Sequence, residues 1–147
     1  MISIVTEPID IQEIFRSVES KEAGAVDIFI GTTRNNSSGK KVLFLEYEAF
    51  AEMALKEMEA IGDELRIRWN ICAASIVHRI GRVDIGEASV IIAVSSAHRK
   101  EAFESCRFAI DTLKKTVPIW KKEYFEDGAA WVDGGAAIGN VQLLMEK

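Results

Sequence analysis

The 147-residue chain predicts an α+β domain with three helices and an antiparallel sheet. Three observations are compatible with it. Apolar residues recur at helical spacing in three separate stretches, and runs rich in strand formers lie between them. Two joins between such runs read as hairpins, which pair strands antiparallel. No linker or low-complexity segment interrupts residues 1–132, a length that builds one core and not comfortably two. The order of elements is compatible with this arrangement without selecting it.

Ile2 to Thr6 reads as a short strand. Asp10 can cap a helix whose apolar positions Ile11, Ile14, Phe15 and Val18 share helical spacing. Gly24 to Ile30 is a second strand, with Val26, Ile28 and Ile30 on one face. After the polar loop Gly31 to Lys40, Val42 to Phe50 is a third strand, so the two predict a long-looped hairpin. Ala51 to about Trp69 is a helix with the stripe Ala54, Leu55, Met58, Ile61 and Leu65, mildly weakened by Gly62. Ile71 to Val77 is a strand, and the run Val83 to Glu87 turns the chain into the apolar strand Ala88 to Val94. Ser95 or Ser96 can cap the third helix, whose stripe is Ala102, Phe103, Cys106, Ala109, Ile110 and Leu113. Pro118 has no N–H and biases Val117 away from the α region, so this helix ends near Lys115 or Thr116. Ile119 to Phe125 is a strand, Asp127-Gly128 a hairpin turn, and Ala130 to Val132 the return strand. Residues 133–147 are small and Gly-rich and predict a mobile tail.

A net charge of −5 argues against a general nucleic-acid binder and makes local clusters of cations informative. Cys72 and Cys106 form no CxxC and have no His pair nearby, so neither a zinc site nor a disulfide framework is expected, and no cofactor. No apolar run reaches bilayer length and the N-terminus lacks a signal pattern, which points to the cytoplasm and to no membrane partner.

The stretch Asp111 to Glu123 carries the chemistry. Lys114 and Lys115 suit a helix C-terminus through its dipole. Lys121 and Lys122 lie on a strand, where alternation puts Ile119, Lys121 and Glu123 on one face and Trp120, Lys122 and Tyr124 on the other. At most one of the two lysines can meet Lys114 across the bend. Two amines at one site repel, which lowers their pKa values toward a useful range. The plainer alternative is a solvated basic corner. Gly39-Lys40 fails as a phosphate loop, because Arg34 stands where a glycine is needed and Lys41 where Ser or Thr is needed. Arg34 is left as an anion contact or part of an exposed tip. His78, at a strand end, reads as structural. His98 and Arg99 sit at a helix N-terminus, where cations are locally unfavourable unless a phosphate binds there or water screens them.

Leu113-Lys114 through Pro118-Ile119-Trp120-Lys121-Lys122-Glu123 resembles the signature of the large, catalytic subunit of molybdopterin synthase. Other pieces agree in order: Phe29-Ile-Gly31-Thr-Thr-Arg34-Asn35, Leu45-Glu-Tyr-Glu48, Val77-His78-Arg79-Ile80-Gly81 and Ser96-Ala-His98-Arg99. The match runs from about Ile2 to Val132. The resemblance implies a hammerhead-like α+β fold. It also implies sulfur transfer from the thiocarboxylate on the C-terminal Gly-Gly of a small ubiquitin-like subunit to cyclic pyranopterin monophosphate, forming the molybdopterin dithiolene. It implies a heterotetramer built on a homodimer of large subunits. By position, Lys114 and Lys121 match the family's catalytic lysines. Thr32, Thr33, Arg34, His98, Arg99, Lys122 and Glu123 match substrate-pocket positions. One departure is Asp133-Gly134-Gly135, where some members carry a further pocket arginine. The expected roles are neutralisation of the thiocarboxylate or its acyl intermediate by Lys114 and proton handling at the pterin by Lys121, or the reverse. His98 lies sixteen residues before Lys114, ~24 Å along an unbroken helix. His98 and Arg99 are therefore expected to serve the site of the other subunit in the dimer. Two readings of other classes are a non-catalytic α+β dimer that binds a phosphorylated metabolite and a lysine Schiff-base enzyme.

Overall fold

The computed structural model describes residues 1–132; the predicted tail, and the departure at Asp133 to Gly135, lie outside the described residues. The elements are β1 (Ile2–Val5), α1 (Ile11–Ser17), β2 (Ala25–Thr32), β3 (Asn36–Ser37), β4 (Lys40–Lys41), β5 (Phe44–Ala49), α2 (Ala51–Arg68), β6 (Ile71–Arg79), β7 (Gly81–Asp84), β8 (Ala88–Ser96), α3 (Arg99–Thr116), β9 (Ile119–Phe125) and β10 (Gly128–Val132). They form one sheet in the order β1-β6-β8-β2, a second in the order β10-β9-β5-β7, and the small ribbon β3-β4. The expected α+β fold with three helices is present. Its antiparallel pairing is divided between two sheets, and β1 runs parallel to β6.

The first sheet is covered on both faces. Ile76, Val90, Ile92 and Val94 face α2 and α3, packing with Met58, Leu65, Cys106 and Leu113. Val77, Ile91 and Ala93 face α1 through Ile14 and Val18. A strand buried on both sides has no polar face to show, which is why residues 90–94 of β8 are uninterrupted apolar sequence. Asp10 caps α1 as expected, accepting from the N–H groups of Gln12 and Glu13. Gly62 in α2 serves packing: a Cβ there would stand 2.8 Å from Ile2 Cδ1.

The two sheets are joined by continuous chain. β6 passes through Ile80 directly into β7, with Gly81 at φ 86° making the change of direction. The segment expected only to turn the chain before β8 thus includes a strand. At the other join, Val117 is extended at φ −84°, ψ 124°, as a residue before proline must be, and α3 gives way at once to β9.

Four expectations are corrected. β2 and β5 do not pair: β2 takes the edge beside β8, and β5 lies between β9 and β7. The loop between them closes its own hairpin through Ser38 and Gly39, at φ 51° and 81°, so it needs no pairing of the flanking strands. Ser95 and Ser96 do not cap α3; they pair with β2 and β6 as the last residues of β8, and His98 is the N-cap without a side-chain bond. Phe103 is not in the α3 stripe but 59% exposed, and Ser105 is buried instead. Residue 103 is rotated by roughly 100° from Ala102, off the buried face. In α1 only Ile14 and Val18 are buried. Ile11 and Phe15 are exposed, Phe15 beside Val26 of β2, whose outer edge is unpaired among the described residues.

Among the described residues, no helix is long and apolar enough to cross a membrane.

Gly24 donates to Ser96 O at 3.0 Å, and a Cβ on it would lie 2.5 Å from the backbone oxygen of Ala97. Backbone cannot swing aside as a side chain can. Gly24→Ala is expected to destabilise the fold by about 1–3 kcal/mol, read as a lowered urea midpoint with unchanged slope. An unchanged midpoint would show that the β8–α3 junction yields without loss.

Candidate active site

A cavity of about 530 Å³ lies where the C-terminal half of α3 meets β2, β8, β5 and β9. About half of its wall is apolar, from residues such as Phe29, Val90, Ile110, Leu113, Val117 and Ile119. Arg34, Lys114 and Lys121 also line it, and among the described residues no carboxylate does. Three cations are thus gathered at one hollow in a chain of net charge −5.

Each cation comes from a different element. Lys114 stands in the last turn of α3, before the proline stop. Lys121 is the third residue of β9, directly across from Tyr47 of β5. Arg34 opens the loop that follows β2. That loop is pinned by Val42 N–H to Asn35 O at 2.9 Å, and by Ser37 Oγ, which donates to Glu123 Oε1 at 2.8 Å.

Burial holds the Lys121 ammonium below the usual lysine pKa. Glu123 opposes this, and Lys114 and Arg34 push the pKa further down. Alternation in β9 therefore leaves Lys121 as the strand lysine that meets Lys114. Lys122 lies on the other face, 5.3 Å from the Tyr124 ring centroid and 5.4 Å from that of Trp131.

The remaining predicted residues divide. Thr32 lines the cavity with Arg34. Thr33 is buried behind it, donating its N–H to Glu87 O and accepting from Gly86 N–H. Glu123 is 8% exposed and anchors the loop rather than the cavity wall. His98 and Arg99 are exposed at the far end of α3, outside the cavity. The helix between them and Lys114 is unbroken.

Three polar residues of the cavity wall were not expected: Tyr47, His78 and Ser89. Ser89 arrives through a bulge. Gly31 pairs with Val90 and Thr32 with Ala88, so Ser89 is the extra residue between them, and bulges re-aim side chains in this way. Its hydroxyl donates to Gly31 O at 3.3 Å. A Cβ on Gly31 would lie 2.7 Å from Val90 Cγ1, so the bulge needs glycine there. His78 is 4% exposed and its Nδ1 lies 2.8 Å from Arg79 O. A carbonyl only accepts, so Nδ1 carries the proton of the neutral ring. Burial lowers the His78 pKa to about 4, against the raising effect of that bond. The Tyr47 ring meets His78 edge-on at 5.1 Å between centroids, and burial raises its phenol pKa, opposed by the neighbouring Ser89 hydroxyl. The only trace of this group in the sequence is polar residues at the ends of apolar strands, a pattern shared by ordinary strand termini.

The family model described as "MoaE protein" matches residues 4–116. The molybdopterin synthase catalytic subunit of Bacillus subtilis is 50% identical over 129 residues, which cover 88% of this chain and 82% of that one. The crystal structure of molybdopterin synthase from Staphylococcus aureus superposes with a TM-score of 0.85 at 44% identity, over 88% of this chain and 95% of that one. A Helicobacter pylori chain from a complex of subunits 1 and 2 of molybdopterin-converting factor superposes with a TM-score of 0.74. That match covers 89% of each chain, and its 20% identity shows likeness of fold alone.

The buried imidazole ties stability to pH. Its folded pKa of about 4 lies below the ordinary 6.5, so between these values the unfolded chain binds a proton that the folded chain refuses. Stability is complete above pH 6.5 and falls as the pH drops toward 4, by on the order of 3 kcal/mol from this group. Urea midpoints at pH 7 and pH 4.5 should differ less in His78→Asn than in the wild type. Equal differences would place the histidine's titration elsewhere.

Proposed function

The chain belongs to the MoaE protein family, and from that membership we infer that it is the large, catalytic subunit of molybdopterin synthase. It moves sulfur from the thiocarboxylate at the Gly-Gly terminus of a small ubiquitin-like subunit to cyclic pyranopterin monophosphate, forming the dithiolene of molybdopterin. The observation that carries the reading to particular residues is the cavity where Arg34, Lys114 and Lys121 meet with no acid on its wall among the described residues.

Both reactants are anions, one a phosphate ester and one a thiocarboxylate. They repel in water, and holding them together is mainly electrostatic positioning in a site of low dielectric. Each transfer forms a carbon–sulfur bond on the pterin side chain and breaks a carbon–oxygen bond there. The departing oxygen takes up a proton. The acyl group left on the small subunit passes to water and ends as a carboxylate. Lys121, held below the ordinary lysine pKa by burial, is suited to give and regain that proton. Lys114, more exposed at the rim, is suited to neutralise the thiocarboxylate or its acyl intermediate. Arg34, with the chain at Thr32 and Thr33, is suited to the phosphate. Glu123 and Lys122 flank the site: the first fixes the Arg34 loop, and the second braces β9 against β10.

The assembly is a heterotetramer, with a homodimer of this chain at its centre and a small subunit at each end. His98 and Arg99 are placed by this reading in the cavity of the partner protomer. The unbroken α3 supports it, since ~24 Å of helix separates His98 from Lys114 within one chain. The reaction belongs in the cytoplasm, where the free thiols of Cys72 and Cys106 stay reduced.

Lys114→Ala and Lys121→Ala should each lower dithiolene formation at least about 10²-fold, with urea midpoints close to wild type. The assay is product formed from the cyclic pterin with thiocarboxylated small subunit. Full activity in both variants would remove the two lysines from the mechanism. Sharing across the dimer has its own test. Lys114→Ala and Arg99→Ala chains, each impaired alone, should regain up to about a quarter of wild-type activity once mixed and allowed to exchange, because half the subunits pair as hybrids and each hybrid holds one intact site. Exchange without recovery would confine each site to one chain.

A further inference from the structure

The cavity is graded in polarity. Its charged residues lie outward, with Arg34 and Lys114 exposed and Lys121 part-buried. Three uncharged polar residues lie inward, with His78 4% and Ser89 5% exposed and Tyr47 mostly buried. The three come from β6, β8 and β5, so both sheets contribute. The mechanism above uses none of them.

His78 is the most defined of the three. Nδ1 is committed to Arg79 O at 2.8 Å. Nε2, across the ring, makes no hydrogen bond to the described residues and is not among the side-chain atoms sealed from solvent without a partner. The ring lines the cavity, and Nε2 is its nitrogen uncommitted among the described residues. With Nδ1 protonated, Nε2 carries a lone pair, so the inner cavity presents one uncharged acceptor beside two hydroxyl groups. A phosphate or thiocarboxylate has no use for such an acceptor, because neither offers a proton. A reduced pterin does, because its ring nitrogens and exocyclic amine are N–H donors.

We propose that His78, supported by Tyr47 and Ser89, is the residue that binds and orients the pterin ring, its Nε2 accepting a hydrogen bond from a ring or exocyclic N–H. The inference rests on the synthase reading and adds a specificity element to it. The outer cations select anions of any kind, and the inner acceptor selects a heterocycle with a donor edge. A site built to pair with an N–H rejects analogues that lack it, since its own acceptor would be left buried and unpaired.

The test is steady-state kinetics of the complete complex, with thiocarboxylated small subunit and cyclic pyranopterin monophosphate. His78→Asn keeps an N–H for Arg79 O and removes the acceptor at the far side of the ring. It should raise KM for the pterin about 10-fold or more, with little change in kcat or in affinity for the small subunit. His78→Gln and His78→Met form a second pair of similar shape, one with an acceptor and one without. Gln should recover part of the loss that Met shows, a difference that stays readable where Asn unfolds the chain. An unchanged pterin KM in Asn, or equal KM values in Gln and Met, would overturn the proposal. So would an equal loss of pterin and small-subunit affinity, which marks a packing role. Absence of product from the wild-type complex would instead overturn the synthase reading, and this proposal with it.

Discussion

The site depends on the restriction that a proline places on the residue before it. Val117 cannot be helical ahead of Pro118, so α3 ends over the first sheet and its continuation must leave as a strand. That strand, β9, belongs to the second sheet. One peptide corner thus joins the two sheets, and the lysines seven residues apart across it meet at one cavity. Neither a longer helix nor a flexible loop would do this. The helix would carry residue 121 about 10 Å further along its axis, and a loop would hold no fixed geometry.

Gathering like charges works against folding, and the surroundings show how this is managed. Lys121 loses hydration and faces Lys114 and Arg34, both of which disfavour its charge. Glu123 offsets part of that from the same face of β9, while its Oε1 accepts from Ser37 and ties down the loop that brings Arg34. The carboxylate thus steadies the cations without standing among the residues of the cavity wall. The inner polar groups avoid charge altogether: His78 is neutral, and Tyr47 keeps its phenol proton because burial raises its pKa. The site is cationic at its rim and uncharged within.

How far these features were legible in the sequence follows from how local their causes are. Pro118, the Asp10 cap, the hairpin at Asp127 and most of the α2 stripe are settled by neighbours in the chain; the hairpin loop is Glu126-Asp127, one residue earlier than expected, and Leu55 is only half-buried. Alternation correctly allowed only one strand lysine to meet Lys114, though it could not say which. The failures were long-range. β2 pairs with β8 because a strand buried on both faces leaves room for a partner at its side, and no local pattern states that. Ser95 and Ser96 have the chemistry of caps, but cross-strand pairing keeps them in β8. Tyr47, His78 and Ser89 lie far apart in sequence and meet through register and a bulge, so nothing within ten residues of any of them marks the group.

The outward face of β2 carries a further consequence. Val26 and Ile30 stand exposed, Val26 beside Phe15, and the strand's hydrogen-bonding edge is open among the described residues. Such an edge invites pairing with any extended chain it meets, and natural proteins seldom leave one bare for long. Within residues 1–132, that margin is where an extended segment could add a strand to the first sheet without disturbing the cavity side of the fold.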